Sequence, residues 1–316
     1  MTSDLQDDPA HLIPATSQLR RSRRLWRVLF FLALAVAALA VAGRFVLDNG
    51  ATGQRIARIN VDGTIATDPA RLQVLRELAD DPLVEAVLVS INSPGGTTAG
   101  GEELFEALGV LRAEKPVVAV IHELGASAAY MTAIGSDHIF ARRLSIVGSI
   151  GVLYQHVNAG KLLDTIGIDL DKVATGPLKA EPDIDEPITP LVRESLQSLV
   201  ADSYDWFVDI VAERRGISRA ATLALADGRI VTGRQGVEAG LIDAIGGELE
   251  AIAWLEDERQ LAADLPVVTY YPLQEDDLFG IPRWLGGAVR SAFGLGPGGP
   301  IALDGLVSLW QAGSSI

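Results

Sequence analysis

Cysteine is absent from this 316-residue chain, so disulfides are excluded, and the four histidines (His11, His122, His138, His156) lack metal-ligand spacing. No metal and no organic cofactor is therefore expected. Basic residues are also scarce: 26 Lys and Arg stand against 41 Asp and Glu, a net charge of −15. That balance leaves no basic surface to neutralise phosphates and argues against nucleic acid as a partner. Charged residues make up only 21% of the chain and hydrophobic ones 48%. Such a composition excludes a disordered protein and suffices for one large domain or two small ones. No internal repeat is present.

The few basic residues are unevenly placed. Arg20, Arg21, Arg23, Arg24 and Arg27 precede an apolar stretch, and no charge occurs from Val28 to Gly43. Sixteen uncharged residues at about 1.5 Å each fall slightly short of a ~30 Å hydrocarbon layer, but Arg27 and Arg44 can snorkel and carry the span to Leu47. The pattern predicts a cytoplasmic segment over 1–24, a single transmembrane signal anchor over 25–47, an extracytoplasmic domain over 48–275 and a C-terminal tail over 276–316. Lipid contact is thus expected through the anchor, in the inner (plasma) membrane. A cleaved signal peptide ending at Ala40-Val41-Ala42 is the competing reading. The apolar run exceeds the usual ~7–15 residue signal core, which favours retention.

Past the anchor, β-rich runs alternate with helical ones. "IARINVDGTI" reads as a strand and turn, "PARLQVLRELAD" as a helix and "VEAVLVSIN" (84–92) as a buried strand. "AGGEELFEALGVLRAE" is then a helix, "PVVAVIH" a strand and "SAAYMTAIGS" a helix. This order predicts parallel strands joined by crossover helices, an α/β core. A long amphipathic helix follows over 190–216. The tail from about Pro272 is rich in Gly and Pro, and "GLGPGGP" (294–300) cannot be regular structure.

Two stretches fall at the carboxyl ends of adjacent predicted strands, where open α/β folds place ligands. In "INSPGGTTAGG" (91–101), Pro94 keeps Ser93 extended, and Gly95-Gly96 allow backbone angles or approaches that a Cβ forbids. Backbone N–H groups there suit an oxyanion, although a plain strand-to-helix turn uses the same residues. In "GASAAYMTAIG" (125–135), Gly125 and Ala129 flank Ser127 at the positions where a nucleophile turn tolerates only small side chains. An exposed Ser127 is expected, with the Ala128 N–H at a helix start. For an isolated serine the simpler reading is a helix N-cap or a small-residue packing face.

A nucleophilic serine needs a base. His122 lies upstream on the same strand and His138 opens another, and neither is well placed. A lysine base must lose its proton near neutral pH against a reference value of about 10.4, which requires removal from water. Lys115 adjoins a proline in what reads as an exposed turn, while Lys161 and Lys172 fit solvated faces. Lys179, in "VATGPLKAEPDIDEP", is left by elimination. Glu181 and Asp183 nearby favour a charged lysine and must point elsewhere.

"SINSPGGTTAGGEELFEAL", "GASAAYMTAIGSDHIFA", "IVGSIGVL", "ATGPLKAEPD" and "DGRIVTGRQGVEAGLIDAIGG" (227–247) together resemble the signal peptide peptidase A family over roughly residues 55–250. The resemblance implies a spiral of ββα units of the Clp-protease/crotonase type. It implies a membrane-anchored serine endopeptidase that cuts hydrophobic peptides, such as remnant signal peptides, and assembles as a homo-oligomeric ring. Ser127 matches the nucleophile, Lys179 the general base and Ser149 the serine that helps hold the lysine amine. Gly96 and the backbone of Ala128 match the oxyanion donors. Alanines at 128 and 129 stand where the family usually has glycines, which keeps the donor N–H but narrows backbone freedom. Two other functions use the same fold: a crotonase-like acyl-CoA enzyme with Glu102 or Glu103 as base, both read here as a solvated helix start, and a scaffold without turnover.

Overall fold

The computed structural model describes residues 26–27, 29–35 and 53–272, together with the backbone of 306–309. The chain divides into two compact units, Met1–Gly53 and Gln54–Ile316. In the first, residues 26–27 and 29–35 are helical with exposed side chains. Among the described residues no helix is long and apolar enough to cross a membrane. Residues 25, 28 and 36–47 of the expected anchor lie outside the described residues, as does the segment 1–24.

The second unit is α/β, as the alternation of patterns predicts. It begins β1 (Arg55–Ile65), α1 (Pro69–Asp80), β2 (Val84–Thr97), α2 (Thr98–Glu114), β3 (Val117–Ala126) and α3 (Ala128–Ala133). Then come β4 (His138–Ala141), β5 (Ile146–Gly148), β6 (Leu153–Tyr154), α4 (Gly160–Ile166), α5 (Pro190–Arg215) and α6 (Arg219–Leu225). It closes with β7 (Ile230–Thr232), α7 (Gly233–Glu238), β8 (Ala244–Ile245), α8 (Glu248–Arg259), β9 (Val267–Tyr271) and β10 (Leu306–Leu309).

Helix starts follow their capping chemistry. Asp68 accepts hydrogen bonds from the Ala70 and Arg71 N–H groups ahead of Pro69, and Thr97 accepts from Gly100 N–H at 2.9 Å. Thr189 caps α5, again with a proline first, and Gly216 ends it at φ 63°.

Strands β9, β1, β2, β3, β4 and β8 lie side by side in that order, each parallel to the next. Side chains on β2 alternate between two cores. Val87, Val89 and Ile91 face a cluster completed by Leu75 and Leu78 of α1, Leu104 and Leu108 of α2, and Phe207 and Val211 of α5. Ala86 and Leu88 face the other, with Val118, Val120 and the α8 residues Ala251 and Leu255. Burial on both faces is why these strands read as continuous apolar runs.

One difference from the sequence reading matters for the site. Strand β2 does not stop at residue 92 but continues through Pro94-Gly95-Gly96 to Thr97, because β1 keeps pairing with it as far as Ile65↔Gly96. At the end of the tail, β10 enters the sheet, antiparallel to β2 on one side and to β6 on the other.

Candidate active site

Strand β3 pairs with β2 up to Ser93↔Gly125 and with β5 up to Ala126↔Gly148. The next residues along β3 and β5 are Ser127 and Ser149, so two of the expected site residues leave adjacent strands side by side. Both adopt left-handed backbone angles, φ 59° at Ser127 and φ 51° at Ser149. Non-glycine residues hold such angles only where the surroundings impose them. Ser127 is pinned by its N–H, which donates to the Gly148 carbonyl at 2.8 Å, and by its own carbonyl, which accepts from Met131 N–H at 2.9 Å. Its side chain makes no capping bond to α3, so the N-cap reading does not account for it.

The small neighbours have a steric reason. A Cβ on Gly125 would lie 2.7 Å from the Ile121 side chain, and one on Gly101 would lie 2.8 Å from Met131 Sδ and 3.0 Å from Ala128 Cβ. Helix α2 thus lies against the start of α3, and Ala128 and Ala129 are fully buried. The expectation of an exposed serine is not met: Ser127 is only 1% exposed. The edge of β2 beside it is filled by β10, and Gly95, Gly96 and Thr97 are buried there as well.

Gly96 arrives from β2, which pairs with β3 just before Ser127. A Cβ at this position would fall 1.8 Å from the Ile65 carbonyl oxygen, so packing against β1 alone demands glycine. The preceding Gly95 sits at φ 103°. Ser149 is held from the opposite side by "DGRIV": its N–H donates to the Arg229 carbonyl at 2.8 Å, and Gly228 N–H donates to the Ile150 carbonyl at 3.2 Å. Arg229 fixes that turn by hydrogen bonding to Asp227, whose pKa is held down to about 2.

Lys179 is carried on none of these strands. It occupies an exposed turn between α4 and α5, where its N–H donates to the Gly176 carbonyl at 3.2 Å. The surrounding arm exposes Leu162, Ile166, Leu170, Val173, Leu178 and Ile184. Glu181 and Asp183 are turned to Lys172, whose ammonium bridges both. Both carboxylates are thus paired with a lysine other than Lys179. With Glu186 they lie close enough to share a cation, but the Lys172 ammonium already occupies the first two.

The other base candidates are elsewhere. His122 Nε2 is 2.8 Å from Ser90 Oγ, and His138 sits where β4 starts, paired with Val118 at the far end of β3 from Ser127. Lys115 is not in an exposed turn. Its ammonium donates to the Asp81 carbonyl and burial pushes its pKa down, yet it too precedes β3 at the end remote from Ser127.

Residues 110–262 match peptidase family S49. A provisionally named protease from Synechocystis sp. (strain ATCC 27184 / PCC 6803 / Kazusa) is 38% identical over 68% of this chain and 75% of its own length. The chain belongs to peptidase family S49. A provisionally named signal peptide peptidase SppA from Enterococcus faecium is 31% identical over 79% of this chain and 75% of its own. Among solved structures, a membrane-bound stomatin-specific protease matches 70% of this chain and 99% of its own with 14% identity and a TM-score of 0.46. The resemblance to the signal peptide peptidase A family therefore holds, and this S49 member is a serine peptidase of that type.

The sequence reading named Ser93 only as the extended residue ahead of Pro94 and missed what its hydroxyl does. Fully buried, it donates from Oγ to the Gly63 carbonyl at 2.6 Å and accepts from Gly95 N–H at 3.1 Å, locking the Pro-Gly-Gly bend to β1. A hydroxyl two residues ahead of a glycine is the available signal, since serine commonly bonds the backbone at that spacing.

Proposed function

We propose that this S49 serine peptidase cleaves extended hydrophobic peptides, such as remnant signal peptides, with Ser127 as nucleophile and Lys179 as general base. The observation that carries the reading is the strained Ser127 bend, emerging between Gly96 on one adjacent strand and Ser149 on the other. Neutral Lys179 takes the Ser127 hydroxyl proton as Oγ attacks the peptide carbonyl. The Gly96 and Ala128 N–H groups receive the oxyanion, and Ser149 helps hold the amine. The lysine then protonates the leaving amine, and water resolves the acyl-enzyme by the same route. The spiral is of the Clp-protease/crotonase type.

An exposed Lys179 cannot be a good base in a single chain. Its arm must be covered, by an apolar substrate or by a neighbouring copy in a homo-oligomeric ring, and the exposed Leu, Ile and Val side chains around it suit either cover. An N-terminal anchor over 25–47 would hold the domain outside the inner membrane, where such peptides are released.

The test is hydrolysis of a fluorogenic apolar peptide by wild type, Ser127→Ala and Lys179→Ala. Each variant should lose about a thousandfold or more in kcat while keeping its melting temperature. If the base acts on a neighbouring copy, mixing the two inactive variants should restore part of the activity. Wild-type rates in both variants would overturn the dyad. An acyl-CoA reading is disfavoured at Glu103, which is not a solvated helix residue as expected: its carboxylate accepts the Asp68 N–H at 2.8 Å and faces Arg71.

A further inference from the structure

Helices α1 and α2 turn Leu75, Leu78, Leu104 and Leu108 into the core, and between them on the outside runs a cleft of about 640 Å³. Its floor is apolar, built by Leu72, Leu75, Ala79, Ala107 and Leu111, with Val110 standing 65% exposed at the lip. Its walls are acidic. Glu102, Glu103, Glu106 and Glu114 line it from α2 and Asp80 from α1, against the guanidinium of Arg76. Glu103 is committed to the Asp68 N–H and to Arg71, and Lys115 draws Asp80 and Glu114 at the far end. Among the described residues Glu102 and Glu106 form no ion pair. They stand one helical turn apart, an arrangement of like charges that weakens a helix. Negative potential therefore gathers over an apolar floor at this end of the cleft.

That combination selects its occupant. The floor calls for apolar side chains and the walls for cations, so an anionic lipid surface is repelled. A second copy is repelled as well. Its exposed Leu162, Ile166 and Leu170 are interspersed with Asp164, Asp169 and Asp171, and the whole chain carries a net charge of −15. The lining stripe of α2 runs from Ala99 to Glu114, about 22 Å, which suits a helix of about four turns with apolar residues at three-to-four spacing and Lys or Arg beside them. The cleft also begins near the chemistry. α2 follows directly on the β2 segment that carries Gly96, so Ala99 lies within about 10 Å of that glycine.

We propose that the α1–α2 cleft is a docking site for a basic, amphipathic helical flank of a substrate peptide, bound outside the cleavage site. The docking rests on the peptidase reading for its effect on turnover but not for the binding step. Contacts to such a flank are equally strong before and during the chemical step, so they lower KM and leave kcat unchanged.

The experiment uses fluorogenic apolar peptides extended by a Lys- and Leu-containing amphipathic helix of about sixteen residues, placed at the amino end in one and the carboxyl end in the other. Control peptides carry Gln in place of every Lys. At least one Lys peptide should show a KM about fivefold to tenfold below its control with equal kcat, and the gap should close in about 1 M salt, where screening shortens to ~3 Å. Glu102→Lys combined with Glu106→Lys should abolish the gap. Val110→Gln, which removes apolar contact at the lip, should raise the KM of the Lys peptide about threefold. All three positions are exposed, so melting temperature and hydrolysis of the unextended peptide should stay as in wild type. The labelled helix alone, titrated onto Ser127→Ala protein and followed by anisotropy, should lose affinity with the same charge reversal. Equal KM for Lys and Gln peptides, or a gap that survives the reversal, would overturn the proposal. Altered sedimentation of the peptide-free variants would assign the cleft to a subunit contact and overturn it too. Helix binding that depends on Glu102 and Glu106, in a protein without Ser127-dependent hydrolysis, would support the docking site while sinking the peptidase mechanism, so the two can fail separately.

Discussion

Gly96 shows how one side-chain hydrogen can hold a site in shape. Its would-be Cβ falls 1.8 Å from a backbone oxygen, not from the end of a flexible side chain, so nothing nearby can give way cheaply. Gly96→Ala is expected to cost about 2–3 kcal/mol in urea unfolding and to lower peptidase activity with it. Gly109, on the same chain segment but inside α2 with nothing within 4 Å of its Cβ position, is the control. Gly109→Ala should stabilise by about 0.5–1 kcal/mol, since alanine is the better helix former. The Pro94-Gly95-Gly96 bend was visible in the sequence, and so was Ser127 among small residues. What the sequence did not reveal was that Gly96 is fixed by β1, a contact set by strand register and not by any local pattern. Nor did it reveal that Ser127 is buried.

At the scale of elements, helix α5 was legible from end to end, because Pro190 and Gly216 punctuate a long amphipathic run. Its service to the site was not. Arg214, in its last turn, donates from Nε to the Ile134 carbonyl and from Nη2 to the Ser136 carbonyl, both at 2.8 Å. It thereby satisfies carbonyls at the C-terminal end of α3, the short helix that follows the nucleophile. Arg214→Ala should cost about 1.5–3 kcal/mol, read from a urea midpoint. Arg214→Lys should recover only part of that, because an ammonium cannot span both carbonyls as the planar fork does. Strands β5, β6 and β7 carry two or three residues each, too few to show an alternating pattern, and this is why the frame around Ser149 could be found only from the resemblance to a family.

For the whole molecule, the clearest pH response should come from His138. Burial against Phe140 and Trp254 pushes its pKa down, with Asp243 opposing and Arg215 and Arg259 reinforcing the shift. The unfolded chain then takes up this proton before the folded one does. Stability is complete above about pH 6.5, the ordinary histidine value, and is lost as pH falls through it toward the lower folded value. Melting temperature should decline as pH falls below about 6.5, and His138→Gln should flatten that slope. An unchanged slope would assign the decline to other groups.

The sheet also fixes when this molecule can be finished. Ile56 of β1 pairs with Val267 of β9, so one of the first strands to leave the ribosome finds its last neighbour only after nearly the whole domain has been made. Until then that edge is open to mispairing with other nascent chains, and a translation product that stops before β9 would carry it permanently.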